Sequence, residues 1–245
     1  MSPWPLLAAV LLLPQEPNEA EELLRKAEAA VANAPSFRRG YEVTAQETVT
    51  TETSARRTTR ANSGTFDVLG GNGLKLKAHV LFGPLDNVHV TVQSDGKTAR
   101  VKRDTGAVLA EVPAPGRLKA EYTVLLLRLG AESAASETAN RLARIEEDNL
   151  VKAAGLRPKP RDPDPVPQVT DFKMAGREKI GDVETVKIRF TMKATPGSDP
   201  SSVTLWLDAK TFLPVQREEE IDRPNLNWKH VERYAVPATP DSDRQ

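Results

Sequence analysis

The sequence predicts an α+β fold: a curved antiparallel sheet that forms an incomplete β-barrel, with an amino-terminal helix and a helical lid. Apolar and polar residues alternate with the period of two that strands show, over most of 37–113 and again over 179–235. Helical spacing is confined to 19–34 and 118–154. Because helices and strands are segregated along the chain, we expect an antiparallel sheet rather than parallel βαβ units.

Composition excludes several classes of protein. The chain has 245 residues, of which 39% are hydrophobic, and its 34 basic residues balance 34 acidic ones. A nucleic-acid-binding protein would show a concentrated basic face instead. Since cysteine is absent, the chain has no disulfide, no thiolate metal site, no thiol nucleophile and no cysteine for lipid attachment.

A short apolar run lies near the amino terminus. Residues 5–13 read PLLAAVLLL, fewer than the about 20 residues that a membrane-spanning helix needs. The run is typical of the apolar region of a secretory signal, so we predict a leader over 1–17, cleaved between Leu13 and Asn18. The alternative is a truncated or uncleaved hydrophobic tail, because no Lys or Arg precedes the run and no A-x-A cleavage site follows it. The leader predicts a periplasmic or secreted protein.

The first helix has a clear start and one apolar face. Asn18 is placed to cap it, and Glu21 follows three residues later as in a capping box. The apolar face consists of Ala20, Leu23, Leu24, Ala27, Ala30 and Val31. Pro35 ends the helix. We expect this face to pack across a sheet.

The segment from 37 to 113 predicts a meander of strands with polar outer faces. Tyr41, Val43 and Ala45 alternate with polar neighbours. The sequences LGGNG at 69–73 and SDGK at 94–97 are signals for tight turns between such strands.

Two further helices are predicted between 118 and 154, ending at Gly130 and Gly155. The inward face of the first consists of Tyr122, Leu125, Leu126 and Leu129. The segment 156–169 contains five prolines, which exclude a helix or a central strand and predict an extended connector.

The carboxyl half centres on a hairpin between 179 and 220. Its apolar face is expected to carry Val186, Ile188, Phe190, Met192, Val203, Leu205 and Leu207. Residues 196–200 supply the turn, and a last strand follows at 228–235. We predict one domain over 18–236 and a disordered tail over 237–245.

Ser94 and Lys97 match the S-x-x-K pattern of a serine nucleophile and its base. In penicillin-binding enzymes that pattern opens a helix. Here it contains Asp-Gly and lies between alternating strands, which favours a hairpin turn. An envelope hydrolase that uses these two residues is the weaker hypothesis.

Other reactive side chains do not form a recognisable site. The chain's histidines are His79, His89 and His230, none at the spacing of a metal motif. His79 and His89 could meet across neighbouring strands, but two histidines alone make an incomplete site. The run 218–220, three glutamates, is expected to be solvated, and the basic clusters 38–39 and 56–57 lack the interleaved aromatics of a single-strand binder.

The apolar face of the sheet is the best candidate for function. We predict that a hydrophobic ligand contacts Val186, Ile188, Phe190, Met192, Val203, Leu205, Leu207, Tyr122, Leu125 and Leu126. The competing interpretation is an ordinary filled core. Patterning does not separate a packed interior from a hollow one, so both stay open.

The carboxyl half resembles the LolA/LolB-like superfamily of periplasmic lipoprotein carriers. GREKIGDVETVKIRFTMKA resembles a recurring strand pair of that family. VTLWLDAKTFLPVQREEE resembles its next hairpin, with Leu205, Trp206, Asp208, Leu213 and Pro214 in the expected places. The motifs cover about forty residues, and the order of elements is similar over most of the chain. A low aromatic content, 5%, and the Pro-rich segment are departures from the family pattern.

The resemblance implies a LolA-like half-barrel of the bacterial envelope that binds hydrophobic ligands, such as lipoprotein acyl chains, and is not an enzyme. We expect no cofactor, no metal, no nucleic acid and no integral membrane span. The alternative function is an envelope protein-interaction or sensor module with a filled barrel and no lipid cargo.

Overall fold

The computed structural model describes residues 18–34, 37–50, 54–82, 86–160 and 166–235. The predicted leader over 1–17 and tail over 237–245 lie outside the described residues. No helix in the described ranges is both long enough and apolar enough to cross a membrane.

Three helices and eleven strands make up the described part of the chain. The helices are α1 (Glu19–Asn33), α2 (Leu118–Leu129) and α3 (Ala131–Ala153). The strands of the first half are β1 (Phe37–Thr50), β2 (Ala55–Val68), β3 (Gly73–Phe82), β4 (Asp86–Asp95), β5 (Thr98–Arg103) and β6 (Val108–Pro113). Those of the second half are β7 (Gln168–Ile180), β8 (Val183–Lys193), β9 (Ser201–Asp208), β10 (Pro214–Arg223) and β11 (Leu226–Ala235).

All eleven strands belong to one antiparallel sheet of order β6-β5-β4-β3-β2-β1-β11-β10-β9-β8-β7. Strands that follow one another in sequence are neighbours, with the exception of β6 and β7, and β1 pairs with β11 at the centre. The sheet does not close, because β6 and β7 remain its two edges. The predicted α+β class with an open antiparallel sheet is confirmed.

The hairpin predicted in the carboxyl half is β8 and β9, in the register that pairs Ile188 with Leu205. The resemblance placed the first strand of a pair within 176–180, but most of β7 was not predicted, and the strand begins at Gln168, inside the predicted connector. Its pairing with β8 shifts register twice, near Asp171 and Gly176, which both have positive φ. These irregularities interrupt the alternation that identifies a strand.

A tight turn joins β9 to β10, as the LWLD…LP motif indicates. The Asp208 side chain accepts hydrogen bonds from the backbone N–H groups of Lys210 and Thr211, at 2.7 and 3.0 Å. The Trp206 indole donates to Glu178 on β7. The motif residues therefore fix a turn and one strand contact.

The three helices lie against one face of the sheet. The helix α1 packs on β7 and β8, while α3 crosses β3 to β6. Asn18 caps α1 as predicted, since its side chain accepts from the Glu21 N–H at 3.0 Å. Its amide nitrogen also donates to the Phe172 carbonyl at 2.9 Å, which ties the helix start to β7.

Two buried apolar clusters result from this arrangement. The α1 cluster contains Ala20, Leu23, Leu24, Ala27, Leu127, Val186, Ile188, Phe190, Met192, Val203, Leu205 and Leu207. The larger cluster joins α2 and α3 to β1–β6 and is centred on Phe66, whose ring lies within 6.4 Å of the rings of Tyr41, Tyr122 and Tyr234. These are the three tyrosines of the chain, and all three are buried.

Candidate functional site

The structure does not bring the ten predicted ligand-binding residues into one cavity. The seven strand residues, from Val186 to Leu207, are at most 5% exposed and pack under α1. Tyr122 and Leu126 belong to the other cluster, and Leu125 is half-buried beside them. The two groups belong to different buried clusters of the interior.

A cleft of about 550 Å³ lies between α2 and α3 and includes two of the predicted residues, Tyr122 and Leu125. The lining consists of Arg117, Leu118, Ala120, Glu121, Tyr122, Val124, Leu125, Glu137, Thr138, Arg141 and Val166. The volume falls within the roughly 300–1,000 Å³ that is usual for small-ligand sites. We call this space the α2–α3 cleft.

Charged side chains border the α2–α3 cleft. The Arg141 guanidinium on α3 donates to both carboxylate oxygens of Glu121 on α2. Both side chains are about one-third exposed, so the pair contributes little to stability. Arg117 precedes α2 and is exposed. The cleft therefore combines an apolar interior with charges of both signs at its border.

A buried polar cluster, the junction cluster, lies where α2 meets α3. It consists of Arg217 and Glu219 on β10 and of His230, Glu232 and Tyr234 on β11. The sheet register places Arg217 beside Glu232, and Glu219 beside His230.

The Glu232 carboxylate holds the start of α3 to the sheet. Its Oε2 accepts hydrogen bonds from the Ala131 N–H at 2.8 Å and from the Tyr234 hydroxyl at 2.5 Å. Its Oε1 lies 3.2 Å from Nε2 of His230. A carboxylate at this position complements the positive end of the α3 dipole.

Arg217 binds the carboxyl-terminal end of α2, as Glu232 binds the amino-terminal end of α3. Its Nη2 donates to the Arg128 carbonyl at 2.6 Å and to Oε2 of Glu219 at 2.7 Å. Its side chain is fully buried. A guanidinium complements the negative end of the α2 dipole, so both helix termini at the junction meet a charge of the favourable sign.

These contacts shift the protonation equilibria of the cluster. Burial by itself would raise the pKa of Glu232, but the hydrogen bond and charge of His230, together with the charge of Arg217, hold that pKa below its ordinary value. Burial would lower the pKa of Arg217, and the charges of Glu219 and Glu232 raise it instead. Glu232 and Arg217 are thus held in their charged forms.

Gly130 makes the close approach of the two helices to Glu232 possible. It joins α2 to α3 with φ 88° and ψ 169°, a conformation that is essentially restricted to glycine. A Cβ at this position would lie 2.5 Å from Oε1 of Glu232. The prediction that α2 ends at Gly130 is confirmed.

The expectation that residues 218–220 are solvated is wrong for Glu219. Alternation along β10 puts Glu218 and Glu220 on the outer face, where both bind Lys229, at 2.7 and 3.0 Å. The same alternation turns Glu219 inward beside Arg217, where it is 8% exposed. The period of two was visible in the sequence, but the apolar or polar character of the residues gave no sign of which face was buried.

The predicted turn at Ser94–Lys97 is confirmed. Asp95 accepts hydrogen bonds from the backbone N–H groups of Lys97 and Thr98, both at 2.8 Å. The Ser94 hydroxyl accepts from the Gly96 N–H at 3.1 Å. These are the bonds of a β4–β5 hairpin turn.

His79 and His89 meet across β3 and β4, as the sequence allowed. They are directly paired in register, and their rings stack with centroids 4.4 Å apart. Within the described ranges, no group of three or more His, Cys, Asp or Glu side chains is arranged to hold a metal ion.

Comparisons with known proteins give likeness of fold at low identity. No family profile matches the sequence, and no curated protein does so. Among solved structures, the chain is similar to LprF of Mycobacterium bovis, with a TM-score of 0.42 and 16% identity over 90% of this chain and 95% of that one. The lipoprotein LppX of Mycobacterium tuberculosis gives a TM-score of 0.36 and 16% identity over 90% and 98%.

A LolA superfamily protein from Nitrosomonas europaea is also similar, with a TM-score of 0.27 and 12% identity over 91% of this chain and 95% of that one. It belongs to the superfamily that the carboxyl-half motifs resemble. At these identities and TM-scores, the likeness decides neither a ligand nor an activity.

Proposed function

We propose that this chain is a non-catalytic binding protein of the bacterial envelope that takes a hydrophobic ligand, such as a lipoprotein acyl chain, into the α2–α3 cleft. The observation that carries the proposal is the cleft itself: about 550 Å³, with Leu118, Tyr122, Val124 and Leu125 on α2 and Val166 beyond α3 among its lining residues. A site of this size with apolar walls and a few charges at its border suits an amphiphile.

The sequence supports the location and the ligand class. The apolar run at 5–13 favours export. The motifs between 175 and 220 resemble those of periplasmic lipoprotein carriers, which implies an acyl-chain ligand. The resemblance and the cleft are independent observations, since none of the motif residues lines the cleft.

The length of a bound acyl chain gives a quantitative test. Each methylene group that is removed from water contributes about 0.8 kcal/mol. Two further methylenes inside the cleft are therefore expected to tighten binding by roughly tenfold to twentyfold. The gain should stop at the chain length that fills the cleft.

The experiment measures displacement of a fluorescent fatty acid by saturated fatty acids of increasing length. Leu125→Trp fills the cleft and should abolish binding, whereas Leu125→Ala enlarges it and should move the optimum to longer chains. The matched control is Leu150→Trp, which adds the same side chain at a position of α3 that is 62% exposed and outside the cleft lining. Equal binding by Leu125→Trp and Leu150→Trp would refute the cleft as the site.

One observation favours a second function, an interaction or sensor module without lipid cargo. The strand residues predicted to line a cavity are packed against Leu23, Leu24 and Ala27 of α1 instead. A filled interior of this kind needs no cargo. Native mass spectrometry of the purified chain with and without added fatty acid separates the two functions, since the second predicts no bound lipid under either condition.

A further inference from the structure

The histidine pair on β3 and β4 brings two imidazole rings side by side on one hairpin. His79 and His89 occupy directly opposite positions of an antiparallel pair. Side chains at such positions have their Cβ atoms about 4.5–5.5 Å apart. The ring centroids lie 4.4 Å apart with an interplanar angle of 26°, so both imidazoles point to the same side of the hairpin.

The hairpin that carries the pair is regular and long. The register of β3 with β4 runs without a shift from Gly73–Asp95 to Phe82–Asp86. The backbone of His89 is fixed from its other side as well, because its carbonyl accepts from the Asp104 N–H at 3.2 Å. A rigid scaffold lowers the cost of holding two ligands in place.

A split in the sheet leaves the pair accessible. The strand β2 pairs with β3 only between Thr65–Lys77 and Val68–Leu74. Beyond these residues an opening of about 480 Å³ lies between the strands, lined by Glu42, Val43, Thr44, Ala61, Asn62, Ser63, His79 and His89. His79 is half-buried and His89 is exposed, so a solvated ion reaches both rings.

We propose that His79 and His89 together bind a divalent transition-metal ion of the Cu(II), Ni(II) or Zn(II) class. Imidazole nitrogen is a preferred ligand of these ions, whereas Mg²⁺ and Ca²⁺ prefer oxygen. Two histidines supply two of the coordination positions, and water supplies the others. Such a site is open and exchangeable, unlike the closed four-ligand sites that stabilise folds.

The order of affinities follows from the ligand type. For a nitrogen site without imposed geometry, Cu(II) binds more tightly than Ni(II) or Zn(II). The site is also independent of the proposed function, because neither histidine lines the α2–α3 cleft. Failure of metal binding at the histidine pair therefore leaves ligand binding in the α2–α3 cleft untouched, and the reverse also holds.

The experiment titrates Cu(II) into the chain without an affinity tag, followed by calorimetry and by electron paramagnetic resonance. The parent is expected to bind one equivalent with two nitrogen ligands in the spectrum. His79→Ala and His89→Ala should each lose binding at concentrations that saturate the parent, and the double variant should show none.

Two controls complete the test. Thr91→Ala changes the next outward-facing position of the same strand and should leave binding unchanged. His230→Gln removes the remaining histidine of the chain, and a folded variant should bind Cu(II) as the parent does. Circular dichroism establishes that each variant folds. Retention of the high-affinity site by the folded double variant, or absence of that site from the parent, would overturn the proposal.

Discussion

A single added methyl group at Gly130 is expected to destabilise this protein strongly. Gly130→Ala has two effects that the structure separates. The backbone there lies in a region that only glycine occupies readily, φ 88° and ψ 169°. The new Cβ would also lie 2.5 Å from Oε1 of Glu232, so that carboxylate must move away from the α2–α3 junction.

The magnitude follows from those two effects. Forcing a non-glycine residue into this backbone region costs about 1–3 kcal/mol. Displacing Glu232 weakens the hydrogen bond that its carboxylate accepts from the Ala131 N–H. A hydrogen bond to a charged group contributes about 1.5–3 kcal/mol. Together we expect the free energy of unfolding to fall by roughly 3–5 kcal/mol.

Urea unfolding at neutral pH measures the change, and Gly155→Ala is the matched control. Gly155 also has a positive φ, 75°, but a Cβ there would meet nothing within 4 Å. It should cost about 1–2 kcal/mol, from backbone strain alone. If Gly130→Ala and Gly155→Ala destabilise the chain equally, the contact with Glu232 has no energetic role and the reasoning is wrong.

Three further predictions concern stability. The pKa of Glu232 is lower in the folded state than its ordinary value of 4.5. The contribution of this carboxylate to the free energy of unfolding is therefore complete above pH 4.5 and is lost as the pH falls through the folded-state pKa. Unfolding monitored against pH should show a weaker acid dependence for Glu232→Gln than for the parent. Phe66→Ala should lower the free energy of unfolding by about 3–5 kcal/mol, measured in urea, because it empties the centre of the tyrosine-lined cluster. Asn18→Ala should cost about 1 kcal/mol through loss of the cap, which a shift of the thermal midpoint detects; an unchanged midpoint would contradict the cap's role.

The sequence predicted those elements whose pattern is regular. The β8–β9 hairpin was predicted with its apolar face because the alternation through Ile188 and Leu205 has no interruption. Alternation did not identify the strand β7, because register shifts near Asp171 and Gly176 break the same pattern. Local patterning therefore identifies strands only where the backbone is regular.

The candidate site was predicted only in part, for a different physical reason. Tyr122 and Leu125 were identified from helical spacing, but the border pair of Glu121 and Arg141 depends on how α2 meets α3. The junction cluster was missed entirely, since Arg217 and Glu232 are ordinary surface residue types. Only the tertiary arrangement brings their charges to the helix termini, and no spacing rule along the chain encodes that contact.

The pairing of β1 with β11 has a consequence for how the molecule assembles. Gly40 lies beside Ala235 at the middle of the sheet, although the two are far apart in sequence. Joining them is costly in chain entropy and is expected to be slow compared with forming the local hairpins. We therefore expect the seam between the halves to close last, and until it does each half would present an unpaired central strand, which is a template for pairing with another chain.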